Sequence, residues 1–96
     1  MRIAGFRHKA LERFWREDDA RGLPSRCLEK IRAMLTAIAE AESPAEIEKY
    51  SGWHLHRLTG DRRGTWSMTV TRNFRLTFRL MERNVMEVDL EDYHGR

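Results

Sequence analysis

The apolar positions of the chain change period once, near its middle. From residue 7 to about residue 17, Leu11, Phe14 and Trp15 fall at i, i+3 and i+4, one stripe of an amphipathic helix. His8, between Arg7 and Lys9, decorates the start of that helix. Gly22 and Pro24 then break the pattern, with Pro24 suited to the opening of a second helix. There Leu28, Ile31, Leu35 and Ile38 recur at spacings of three and four, with Met34 and Ala39 beside them. Such a stripe reads as core. Ser43, Pro44, Ala45 and Glu46 form a capping-box pattern that predicts one or two helical turns ending at Gly52. Residues 1–6 read as a short edge strand weakened by Gly5.

Beyond Gly52 the period is two. Residues 53–58 predict a short strand that puts His54 and His56 on one face, and residues 59–64 a glycine-bounded loop. Trp66, Met68 and Val70 alternate with Thr65, Ser67, Thr69 and Thr71. Phe74, Leu76, Phe78 and Leu80 alternate with Arg75, Thr77 and Arg79, and Met86, Val88 and Leu90 with Glu87, Asp89 and Glu91. A loop at residues 72–74 pairs Val70 with Leu76, Met68 with Phe78 and Trp66 with Leu80, with Asn73 left-handed. A loop at residues 82–84 pairs Leu80 with Met86, Phe78 with Val88 and Arg79 with Glu87. The expected fold is α+β: two N-terminal helices packed on a C-terminal antiparallel β-sheet.

Composition narrows the class. Ninety-six residues fit one domain, 1–96, and one core. No apolar run approaches the ~20 residues of a membrane span, and no signal peptide is visible, so the expectation is a cytoplasmic protein with no membrane partner. The lone Cys27 allows neither a disulfide framework nor a thiolate metal cage. The net charge of +3 hides a segregation. Between residues 53 and 79, Arg57, Arg62, Arg63, Arg72, Arg75 and Arg79 face only Asp61, a balance of +5. From residue 80 onward, Arg83 and Arg96 stand against Glu82, Glu87, Asp89, Glu91 and Asp92, a balance of −3. A basic middle beside an acidic end suggests a polyanion site holding a few placed carboxylates.

Asp92 falls opposite Phe74, which brings Arg75, Asp92, Tyr93 and His94 to one edge of the sheet. These are the groups a metal-independent ribonuclease needs. The RNA's own 2′-hydroxyl attacks the phosphate, and the protein supplies acid, base and charge stabilisation. Histidine titrates near neutrality, arginine suits the charge that builds on the phosphorane, and tyrosine can stack on a base or move a proton. Plainer readings stand beside this one. Arg62, Arg63 and Arg83 read as solvated surface charges, and Arg79 as a cross-strand partner of Glu87. His54 and His56 with Asp92 or His94 would make a metal edge, but no further ligand cluster supports it, so neither metal nor cofactor is expected.

Four stretches together resemble a known family. Residues 53–67, 73–78 and 91–94, with the opening residues 6–12, resemble in order and spacing the HigB-type killer proteins of the RelE/ParE toxin superfamily. The resemblance implies a RelE-like fold and a ribosome-dependent endoribonuclease that cuts mRNA in the decoding site. It also implies a helix-turn-helix, HigA-like antitoxin through which alone operator DNA is reached. Carried over, it makes His56, Arg75, Asp92, Tyr93 and His94 the catalytic set, with His94 the leading general acid or base and Arg75 on the phosphate. His56 holds the histidine of the family's Leu-His-Pro-Leu-Lys-Gly stretch, where this chain has Arg57 for Pro and Thr59 for Lys. Arg57, Arg62 and Arg63 are then the substitutes for that lysine and, with Arg72, the RNA-binding candidates. Two other classes remain open: a ParE-like gyrase-inhibiting toxin, against which Asp92, Tyr93 and His94 argue, and a non-catalytic nucleic-acid-binding module.

Overall fold

The computed structural model describes residues 1–92; Tyr93, His94, Gly95 and Arg96 lie outside the described residues. Strand β1 (Arg2–Ile3) leads to helix α1 (Lys9–Glu17), and a 3-10 turn, Ser25–Cys27, opens α2 (Leu28–Glu40). Strands β2 (His56–Arg57), β3 (Thr65–Thr69), β4 (Phe74–Met81) and β5 (Asn84–Asp92) complete one sheet in the order β1-β5-β4-β3-β2. The expected architecture holds, with one addition. The N-terminal edge strand runs parallel to β5, pairing Arg2 with Asn84 and Ile3 with Val85, so the sheet is mixed.

Both helical stripes lie where their spacing places them. Leu11 and Phe14 of α1 and Ile31, Met34, Leu35 and Ile38 of α2 are buried against Met68, Val70, Leu76, Phe78, Val85, Val88 and Leu90 of the sheet. Helix α1 starts on His8, whose Nδ1 accepts the Leu11 N–H at 3.2 Å, so this histidine is an N-cap. The capping-box pattern at Ser43 forms only a 3-10 turn, Pro44–Glu46. Ser43 makes no side-chain cap, and Glu46 accepts from the Glu42 N–H instead.

The registers differ from expectation in two places. Strand β3 pairs Met68 with Leu76 and Trp66 with Phe78, a two-residue shift that moves the loop to residues 71–73. Thr71 selects it: its Oγ1 accepts the Asn73 and Phe74 N–H groups, each at 3.1 Å. Asn73 is not left-handed. A shift of two leaves every side chain on its own face, so hydrophobic alternation cannot distinguish the two pairings.

Between β4 and β5, Phe74 pairs with Asp92, Arg75 with Glu91 and Thr77 with Asp89, as the sequence predicts. A bulge then intervenes, with Glu87 at φ 55. Beyond it Leu80 pairs with Val85 and Arg79 with Met86, not Leu80 with Met86 and Arg79 with Glu87. The extra residue lets Val85 and Val88, three apart, both enter the core. Strand β2 is shorter than predicted because His54 turns left-handed (φ 51) just before it, which also removes His54 from the strand face of His56.

Candidate functional site

The sheet face turned away from the helices carries polar side chains in rows set by the register. One row crosses His56, Ser67, Thr77 and Asp89, and the next crosses Thr69, Arg75 and Glu91. Ser67, Thr65 and Thr77 are buried, so this is a lined floor rather than a solvated surface.

Glu91 is the centre of that floor. Its Oε1 accepts from Arg62 Nη1 at 2.8 Å and from Arg75 Nε and Nη2 at 3.2 and 3.1 Å. Its Oε2 accepts from Arg62 Nη2 and, at 2.7 Å, from the Thr77 hydroxyl. The Glu91 and Arg75 side chains are only 18% and 19% exposed, against 39% for Arg62. Above all the Arg62 hydrogen bonds, helped by those of Thr77 and Arg75, hold the Glu91 carboxyl down at about 2, although burial alone would raise it. Glu91 keeps Arg62 correspondingly above the ordinary arginine range. A carboxylate held so low is a poor proton acceptor near neutrality, so its part in this site is charge and geometry.

A cleft of about 240 Å³ adjoins this cluster, lined by Arg7, Asp61, Arg62, Thr65, Thr77, Arg79 and Glu87. Arg79 reaches Thr65 Oγ1 at 3.3 Å and makes no ion pair with Glu87.

The sequence-derived residues divide accordingly. Arg75 and Asp92 lie at the same end of the sheet on paired strands, but Asp92 stands opposite Phe74 and Arg75 opposite Glu91, so strand alternation sends their side chains to opposite faces. His56 stands in the Thr77 row two strands away, about 10 Å across the sheet, with Nδ1 2.7 Å from the His54 carbonyl oxygen. Arg62 joins Arg75 through Glu91, so it is not a solvated surface charge. Arg57 is cross-strand from Trp66, its guanidinium 5.0 Å from that ring's centre, which puts it on the face opposite His56. Arg63 and Arg72 are exposed, in the loop before β3 and in the β3–β4 loop. Tyr93 and His94 lie outside the described residues. Glu91 itself was not singled out by sequence reasoning. The signal was present, because the pairing of Phe74 with Asp92 places Glu91 directly opposite Arg75.

A family model described as the RelE-like toxin of type II toxin-antitoxin system HigB matches residues 4–94. The chain belongs to that family. It is 35% identical over 92 residues to the Endoribonuclease HigB of Proteus vulgaris, an alignment covering 96% of this chain and 99% of that one. The fold is also that of the YoeB/ParE toxin from Agrobacterium tumefaciens, with a TM-score of 0.56 at 20% identity over 95% of this chain and 99% of the other. Family membership therefore extends to within two residues of the chain's end, and the HigB match takes in His56, Arg75, Glu91, Asp92, Tyr93 and His94. Among the described residues no helix is long and apolar enough to cross a membrane, and no group of His, Cys, Asp and Glu is placed to hold a metal ion.

Proposed function

We propose that this chain is the toxin of a type II toxin-antitoxin pair, acting as one RelE-like domain in the cytoplasm, and that it is an endoribonuclease that cleaves mRNA on the ribosome. The observation that carries the reading is the family match over residues 4–94, a span that takes in the positions of the acid–base candidates. The 2′-hydroxyl of the RNA attacks the adjacent phosphate and expels the 5′-oxygen, so one group must take a proton and another must return one. His94 is the leading general acid or base, with Asp92, Tyr93 and His56 completing the set. Arg75 neutralises the charge that builds on the phosphorane, and Arg62 stands beside it through Glu91. The exposed Arg63 and Arg72 grip RNA farther out, whereas Arg57, on the face opposite His56, is left outside the grip. Few groups here pre-organise a free strand, so cleavage depends on the ribosome. A HigA-like helix-turn-helix antitoxin neutralises the toxin, and operator DNA is bound only through it.

The test is induction in cells with mapping of new mRNA 5′ ends. His94→Ala and Arg75→Ala should lose cleavage on the order of 100-fold or more. Both should still co-purify with the antitoxin. Full toxicity in both variants overturns the site. Trapped gyrase–DNA complexes with intact mRNA would place the chain with gyrase inhibitors instead.

A further inference from the structure

We infer that Glu91 is a positioning residue of the RNA-cleaving site, holding the Arg62 and Arg75 guanidinium groups in one fixed arrangement for an RNA phosphate. The inference deepens the ribonuclease reading and rests on it. Three separate parts of the chain meet on this one carboxylate: the loop after β2 through Arg62, β4 through Arg75 and Thr77, and β5 itself.

The geometry of each contact matters. Arg75 approaches sideways, with Nε and Nη2 both on Oε1, which fixes the plane of its guanidinium. Arg62 approaches end-on, one Nη to each carboxylate oxygen. Two guanidinium groups this close repel each other, and each long side chain has much rotamer freedom to lose. The carboxylate between them removes both obstacles before substrate arrives. The three groups together carry one net positive charge, with Asp89 of the adjoining row also acting on Arg62, and the cations need not reorganise when a phosphate binds. Glu91 also adjoins Asp92 in the chain, so the same bonds hold the last described residues of β5 to β4.

Glu91→Gln keeps the shape and removes the charge. Single-turnover cleavage of mRNA on programmed ribosomes, followed against toxin concentration, reads its effect. The cleavage rate should fall on the order of 10- to 100-fold. The half-saturating concentration should stay level or drop, because a carboxylate no longer opposes the RNA. Glu91→Asp should recover part of the rate. In an Arg75→Gln background, Glu91→Gln should add about twofold or less, since residues acting through one another are not additive. An unchanged rate in Glu91→Gln, or losses that multiply fully in the double variant, overturns the inference and leaves the ribonuclease reading intact. Wild-type protein that cleaves no mRNA on ribosomes overturns the ribonuclease reading and this inference with it.

Discussion

The two faces of strands β3 to β5 are made by the same backbone and are held by different physics. On the helix side, Met68, Leu76, Phe78, Val88 and Leu90 are buried among other apolar side chains. That burial is non-directional, so it fixes which face points inward and tolerates neighbours of similar size. On the other side, Arg75, Thr77 and Glu91 are joined with Arg62 by hydrogen bonds of fixed direction. Those bonds exist in one register only. The apolar face specifies the fold, and the bonds of the polar face fit one pairing of β4 with β5.

The largest effect should come from the apolar face. Phe78 is fully buried, and Phe78→Ala removes its ring contacts and leaves a cavity. The expected loss is about 3–5 kcal/mol, a large share of the 5–15 kcal/mol typical of a small domain. Urea denaturation followed by circular dichroism measures it. A loss below about 1 kcal/mol would show that the two faces contribute far more evenly than their burial implies.

On the polar face the corresponding change is Glu91→Gln, and its signature is dependence on pH. The folded chain holds the Glu91 carboxyl at about 2, against 4.5 for the ordinary group. A carboxyl depressed in the folded state stabilises the fold fully above its unfolded value and loses that contribution as pH falls through its folded value. The wild type should therefore exceed Glu91→Gln by on the order of 1–3 kcal/mol at pH 7, a figure lowered by the part-exposed Arg62. The gap should close between about pH 5 and pH 2, following the shift from 4.5 to about 2. Parallel stability curves across that window would remove Glu91 from the centre of the network.

What could be read from the sequence follows the same division. The helical stripe on Leu28, Ile31, Leu35 and Ile38 and the alternation around Phe74, Leu76 and Phe78 place the apolar faces of α2 and β4, because burial repeats with the period of the element. The β3–β4 register was not legible that way. Its deciding contact is the Thr71 hydroxyl on the Asn73 and Phe74 N–H groups, a local bond without periodicity. The bulge at Glu87 breaks the period itself, trading Met86 for Val85 in the core. At the site, Arg75 and Asp92 were placed by strand pairing. The Arg62–Glu91 bond spans 29 residues from a loop, and no spacing rule reaches that far.

The smallest effect lies on the same polar face, four residues along β4 from Arg75. Arg79 shares the charge and the strand, but among the described residues its one side-chain hydrogen bond is the 3.3 Å contact to Thr65 Oγ1. Its guanidinium lies against Gly64, where an added Cβ would stand 3.1 Å from Nη2, so it rests on backbone and not on a carboxylate. Arg79→Gln should therefore change stability by no more than about 0.5 kcal/mol and show none of the acid dependence of Glu91→Gln. Denaturant melts of the two variants at pH 7 and pH 3 give the comparison directly. If Arg79→Gln proves as costly as Glu91→Gln, a charge of either sign on this face stabilises whether or not a partner fixes its geometry. If it is near neutral, what matters is an arginine whose orientation a carboxylate fixes, as Glu91, itself held by the Thr77 hydroxyl, does for Arg62 and Arg75.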